Sequence, residues 1–354
     1  MLAHPASTTK DLTHSLDALA ALGDLTLSAA FGPQHGLRGD KQDNMIETAD
    51  FVDPRDRIPV FSLYGEVRRP TAAMMERFDV LLVDLQDVGT RVYTFVTTLR
   101  YVLEAAAAHR KTVWILDRPN PIGRPIEGLR LRDGWESFVG AGPLPMRHGL
   151  TLGELARLFN GEKRIGADLT VVPLRDWRRD DWFDDTGLAW ENPSPNMRSL
   201  TAATIYPGVG AIEGTNLSVG RGTDTPFERI GAPWIDGRAL AAALNARAVP
   251  GVHFYPISFT PAKGAKLGGQ LCHGVAIVVT DRDRVRPVRV GVEIASALAR
   301  LNGSSFALDD AARLLGSRAT IGKIRAGEDP AAIAASWAAD EAAWRATRAP
   351  YLLY

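Results

Sequence analysis

The sequence predicts an α/β protein: a doubly wound parallel sheet followed by a smaller α+β or α/β unit. Three observations carry this. Continuous apolar runs at Leu25–Ala30, Val80–Val83 and Val113–Leu116 each end in a polar loop that bears glycine. Such runs suit strands buried on both faces, hence a parallel sheet. Between the last two runs lies Val92–Arg110, a helix candidate rich in Ala and Leu. Alternation of strand, helix and strand is the pattern of a doubly wound domain.

Taken in order, MLAHPAS reads as the second half of a buried strand that runs into a loop at His4. The strand Leu25–Ala30 comes next and is stopped by Gly32-Pro33. Its loop, Phe31–Glu47, reads FGPQHGLRGDKQDNMIE and gathers Gln34, His35, Arg38, Asp40, Asp43, Asn44 and Glu47 around Gly36 and Gly39. A connection needs turn residues and has no use for this set. Polar groups just past the end of a buried strand are where open α/β sheets bind ligands. Val80–Arg91 repeats the pattern with Asp84, Gln86, Asp87 and Arg91 around Gly89. Val113–Arg124 repeats it again with Asp117, Arg118, Asn120 and Arg124. In a parallel sheet all strand C-termini share one edge, so the three loops are expected to converge on one cleft.

The second half opens with Trp190–Arg229, about 40 residues with little strand or helix periodicity, an extent that points to a functional loop. It carries Asn192, Asn196, Arg198, Tyr206, Glu213, Asn216, Arg221, Asp224 and Glu228. Its GRGT has the spacing of neither phosphate-loop signature and reads as a turn presenting Arg221. Asp236–Ala248 and Val288–Leu301 are helix candidates; Val252–Phe259 and Gly274–Thr280 are strand candidates. In the helical tail Asp329–Arg348, Trp337 and Trp344 stand seven apart, on one face, as a packing stripe. The domain boundaries are placed at 1–228 and 229–354.

Composition narrows the function. The 354 residues carry 41 Lys+Arg against 41 Asp+Glu, which argues against a nucleic-acid footprint. The single cysteine, Cys272, rules out an internal disulfide framework and reads as a small buried hydrophobe. No apolar run approaches the roughly 20 residues of a membrane span. No metal is expected, since the seven histidines are scattered, and no cofactor. Met1–Lys10 lacks the basic start and apolar core of an export signal. The sequence as it stands reads as cytoplasmic, and as periplasmic or secreted if such a signal precedes it.

Six motifs in order carry a resemblance. They are Phe31–Gly39, Phe61–Gly65 (FSLYG), Asp84–Tyr93 (DLQDVGTRVY), Leu116–Gly123 (LDRPNPIG), Pro193–Met197 (PSPNM) and Glu213–Glu228 (EGTNLSVGRGTDTPFE). With them the sequence resembles the NamZ family of bacterial exo-β-N-acetylmuramidases over nearly its whole length. The resemblance implies a Rossmann-like N-terminal domain, a smaller C-terminal domain and a cleft between them. It also implies release of terminal N-acetylmuramic acid from peptidoglycan fragments. The family's first loop usually reads Pro-Glu-His-Gly, with the glutamate its presumed catalytic residue; here that position is Gln34. A primary amide has no carboxyl proton to give and is a poor nucleophile.

Glycoside hydrolysis normally needs an acid at the leaving oxygen and a second group on the other face. Glu213 is the first candidate for the acid, set after the apolar Val209–Ile212 run where partial desolvation would raise its pKa. An ion pair with Arg221 is an equal alternative for it. Asp84 and Asp87 follow, with helix capping the alternative for Asp84. If the substrate's acetamido group is the nucleophile, Gln34 or Asn44 would orient it. His35 is a candidate hydrogen-bond donor. Arg38, Arg91 and Arg221 are candidates for the sugar's lactyl carboxylate, with Asp40, Asp87 and Asp224 as alternative partners. Glu47, Tyr64, Tyr93, Asn120, Asn196 and Asn216 complete the expected substrate contacts. Two other readings stand beside the glycosidase. Gln34 suggests a non-catalytic muropeptide or amino-sugar binding protein. A dinucleotide-dependent enzyme is disfavoured by the missing glycine fingerprint.

Overall fold

The computed structural model describes residues 1–39, 47–123 and 125–354, so Asp40, Asp43, Asn44 and Arg124 lie outside the described residues. Among the described residues a seven-stranded sheet forms from β1 (Leu2–Ala3), β2 (Ala30–Gly32), β3 (Phe51–Val52), β4 (Pro59–Ser62), β5 (Val80–Asp84), β6 (Thr112–Leu116) and β7 (Asp168–Val172). The order is β3-β4-β2-β1-β5-β6-β7. Every neighbouring pair is parallel except β3 with β4.

The strands alternate their side chains as the pleat requires. Leu2, Phe31, Leu81, Val83, Val113 and Ile115 face the main core, shared with helices α3 (Phe95–Ala108) and α4 (Leu152–Glu162). Ala3, Ala30 and Val60 face a second cluster under helix α1 (Ser15–Ala20). Helix α1 is six residues long and shields only the middle of that face, leaving Trp114 of β6 42% exposed. Burial on both faces therefore does not extend to all of β6. The expected strand Leu25–Ala30 is also displaced: pairing begins at Ala30, and Leu25 is 49% exposed. A short helix, α2 (Ala72–Met75), precedes β5 and is capped by Thr71.

The segment read as a long loop contains helix α5, Leu200–Ile212, with Pro207 inside it. Every residue from Ala202 to Ile212 is buried. A helix apolar on all sides shows no amphipathic period, which is why the sequence concealed it. It packs on α7 (Pro287–Asn302) through Gly208 and Gly291: a Cβ on Gly291 would lie 2.4 Å from the Gly208 carbonyl oxygen. The rest of the second unit is an antiparallel sheet in the order β8 (Arg229–Ala232), β10 (Cys272–Val279), β9 (Val252–Phe259). Helix α6 (Gly237–Asn245) lies against it, with Asp236 as its N-cap. Cys272 is fully buried, as expected for a small hydrophobe.

Helices α8 (Ala312–Leu315), α9 (Arg318–Arg325), α10 (Pro330–Ala335) and α11 (Ala338–Arg348) follow. From α11 onward the chain returns to the first unit. Trp344 gives its indole N–H to the His148 carbonyl at 2.9 Å, Arg348 bonds the Gly149 carbonyl, and the Tyr354 hydroxyl reaches Asp117 at 3.0 Å. Trp337 and Trp344 are both buried. No helix is long and apolar enough to cross a membrane, among the described residues.

Candidate active site

A cavity of about 440 Å³ opens between the two units. The first unit supplies Gln34 and His35 beyond β2, and Val92, Tyr93 and Thr94 between β5 and α3. Ser194 and Met197, then Tyr206, Gly210 and Glu213 of helix α5 and its end, form the next wall. Arg221, Phe227, Lys266 and Leu314 close it from the second unit. A larger hollow of about 920 Å³ lies beside α7 and α9. None of the sequence motifs reaches it. Several of its charges are paired with each other, Arg247 with Glu293 and Asp329, and Arg325 with Asp309. The smaller cavity, which the motifs do line, is the candidate site.

Local backbone geometry aims these groups. His35 and Phe227 both have left-handed backbone, at φ 77° and 66°. For a bulky residue such as Phe227 this is a costly conformation, and such residues concentrate at functional sites. The Gln34 carbonyl oxygen accepts a hydrogen bond from the Thr94 hydroxyl at 2.8 Å, which joins two of the motif loops. Tyr93, Tyr206 and Phe227 form an edge-to-face series, with ring centroids 6.2 Å and 4.7 Å apart. Burial raises the pKa of both phenols, so Tyr93 and Tyr206 remain protonated donors.

Glu213 follows helix α5, and the Arg221 guanidinium grips both of its carboxylate oxygens, Nη2 to Oε2 at 3.2 Å and Nε to Oε1. The ion-pair alternative is thus the observed arrangement, in place of the isolated, desolvated carboxyl. Among the described residues Glu213 is the one carboxylate that lines the cavity. Arg221 also lies over the Phe227 ring, 4.9 Å from its centroid. The sequence reading missed Lys266. It sits on the glycine-bearing loop between β9 and β10 and donates to the carbonyls of Glu213 and Thr215, each at 2.6 Å. Burial lowers its pKa. A lysine flanked by Gly264, Gly268 and Gly269 was the available signal.

Several expected site residues lie elsewhere. Arg38 is held by Asp17, Asp53 and Asp56. Arg91 is fully buried and gives its guanidinium to the carbonyls of Leu129, Leu144, Leu314 and Leu315. With no carboxylate partner among the described residues, it has a pKa pushed down by burial to about 10. Asp84 caps no helix: it accepts from Ser15 at 2.5 Å and pairs with Arg118. Asp87 accepts the Gly89 N–H at 2.7 Å and lies 3.4 Å from His148 Nε2, beneath the cavity wall. Asn120 holds a turn through Leu150 and Ile122, and none of the described residues of the third polar loop lines the cavity. Asn216 bridges Ser305 and Ala307. Asn196 is buried between Ser194 and Met197 without lining the cavity itself. Glu47 and Tyr64 gather around Arg68, which pairs with the first at 2.8 Å and covers the ring of the second at 4.0 Å.

Comparison with known proteins fixes the lineage. Residues 1–201 match the model for exo-β-N-acetylmuramidase NamZ, N-terminal, and residues 204–354 match the C-terminal one. The chain belongs to the NamZ family. It is 46% identical over 307 residues to the peptidoglycan β-N-acetylmuramidase NamZ of Bacillus subtilis (strain 168), covering 86% of this chain and 74% of that protein. The NamZ fold is also visible in two crystal structures of DUF1343 family proteins from Bacteroides fragilis NCTC 9343. One superposes with a TM-score of 0.91 at 30% identity, covering all of this chain and 93% of the other. The second gives 0.81 at 30% identity, over all of this chain and 92% of the other.

Proposed function

We propose that this NamZ-family protein is an exo-acting glycoside hydrolase that releases terminal N-acetylmuramic acid from peptidoglycan fragments. One observation carries the reading: a cavity of about 440 Å³, sugar-sized on the scale of known ligand sites, lined by the family's own motif loops and holding one described carboxylate. The relative from Bacillus subtilis, 46% identical, is named a peptidoglycan β-N-acetylmuramidase, and the family description adds that the action is exo.

In this reading Glu213 handles the leaving-group proton. Arg221 occupies both of its oxygens, so the glycosidic oxygen reaches Glu213 only when that contact opens. Gln34, fixed by Thr94, orients the acetamido group of the substrate, which serves as nucleophile in place of a second carboxylate. Tyr93, Tyr206 and Phe227 give the sugar ring an apolar wall. The test is incubation with a chromogenic β-N-acetylmuramide and with fragments ending in N-acetylmuramic acid. Release of the aryl group and of free N-acetylmuramic acid is expected. Tight binding of the sugar with no release from either would replace the hydrolase by a muropeptide-binding protein.

A further inference from the structure

We propose that Lys266 reads the lactyl carboxylate of N-acetylmuramic acid and so sets the preference for that sugar over N-acetylglucosamine. The inference rests on the functional reading above and deepens it. The two sugars differ by one group, an ether-linked lactic acid that carries an anion. A cleft that selects the larger one needs a cation with a donor to spare.

The arginines do not meet that need. Arg38 is engaged by three aspartates, and Arg91 is sealed in the interior against four carbonyls. Arg221 has its fork on Glu213. Lys266 differs in both respects that matter. Its two hydrogen-bond acceptors are neutral backbone carbonyls, and among the described residues no carboxylate oxygen lies within ion-pair distance of it. An ammonium has three N–H donors. Two are used and one remains, on a side chain that lines the cavity.

The ammonium is also well placed. The Ala262 N–H bonds the Gly222 carbonyl and the Gly269 N–H bonds the Pro261 carbonyl, both at 2.9 Å, which closes the loop on itself and ties it to the Arg221 turn. The two carbonyls that Lys266 holds follow helix α5, a second, purely structural service for a cation at a helix C-terminus. The experiment must separate the two.

Binding is measured by calorimetry for N-acetylmuramic acid, for its lactyl amide and for N-acetylglucosamine, in wild type and in Lys266→Met. The expected result is that Lys266→Met weakens N-acetylmuramic acid by about 10- to 100-fold, the loss of one charge-assisted hydrogen bond. The amide and N-acetylglucosamine should change little, and wild type should prefer the acid to its amide. Lys266→Arg should restore part of the preference. Equal weakening of all three ligands would assign Lys266 to the helix end alone and overturn the proposal, as would a wild type that does not distinguish acid from amide. Because the readout is binding, it stands apart from the hydrolase test. A protein that distinguishes the ligands through Lys266 yet cleaves nothing would refute hydrolysis and support Lys266.

Discussion

The guanidinium of Arg91 lies 2.8 Å from the carbonyl oxygen of Leu315, a contact that spans 224 residues and joins the first unit to the second. With Leu314 beside it lining the cavity, this buried cation fixes one wall of the cleft relative to the other. Arg91→Ala would leave four carbonyls without their donor. It is expected to lower stability by at least about 3 kcal/mol, measured by denaturant unfolding. Arg91→Lys should not rescue it, since one ammonium cannot span the same acceptors. A variant as stable as wild type would show that the carbonyls find other donors.

Helices α5 and α7 touch backbone to backbone. A methyl group on Gly208 would sit 1.8 Å from the Pro287 carbonyl oxygen. Gly208→Ala is therefore expected to cost about 1–3 kcal/mol or more, because the helices must move apart. Since α5 carries Tyr206 and leads into Glu213, activity should fall along with the melting temperature. Full activity at lowered stability would show that the shift does not reach the cavity.

Catalysis is tested by two amide–carboxyl exchanges. Glu213→Gln should abolish turnover of a poor leaving group and spare binding, while an activated aryl leaving group suffers less. Activity unaffected by that change would show that Glu213 does not supply the proton. Gln34→Glu keeps an acceptor for the Thr94 hydroxyl. Because the Gln34 amide is the group that orients the acetamido nucleophile, the new charge should leave turnover of N-acetylmuramides unchanged or lower it. A rise in turnover would show that this position serves the carboxylate usual in the family and not the amide.

Asp117 supplies a pH test. Burial raises its pKa to about 6, against the pull of hydrogen bonds from Thr151, Gly153 and Tyr354. The folded state then holds this proton more tightly than the unfolded one. The contribution to stability is fully present below the ordinary aspartate pKa and is lost as pH rises toward 6. Asp117→Asn removes the linkage. Relative to wild type the variant should gain about 3 kcal/mol between about pH 4 and pH 7, read from unfolding midpoints. A constant difference across that range would place the titration elsewhere.

The parts of the fold that were legible are those in which one local rule decides. Val80–Val83 and Val113–Leu116 are continuous apolar runs, and they lie in the strands Val80–Asp84 and Thr112–Leu116. Val252–Phe259 forms a strand with the expected ends. Helix α5 was illegible because Pro207, its glycines and its burial on every side erase the period that marks a helix. At the site, Gln34, His35, Tyr93, Glu213 and Arg221 could be read because they stand in dense polar loops, and the cavity gathers them. Arg38 and Arg91 stand in equally polar loops, but their partners are remote. Asp53 lies 15 residues from Arg38, and Leu315 lies far along the chain from Arg91. Sequence neighbours such as Asp40 and Asp87 gave no hint of that. Lys266 escaped because a lysine in a glycine-bearing loop, with Lys263 three residues before it, resembles any solvated turn.

The return of the last residues to the first sheet has a consequence for cooperativity. Trp344, Arg348 and Tyr354 bond to His148, Gly149 and Asp117, so residues that follow the second sheet in the chain complete the polar contacts of the first unit. Neither half then owns a complete set of satisfied polar groups. Melting of α11 would strip the His148 and Gly149 carbonyls of their donors from Trp344 and Arg348. The whole chain should behave as one foldon, with amide exchange in β6 and in α11 governed by the same opening event.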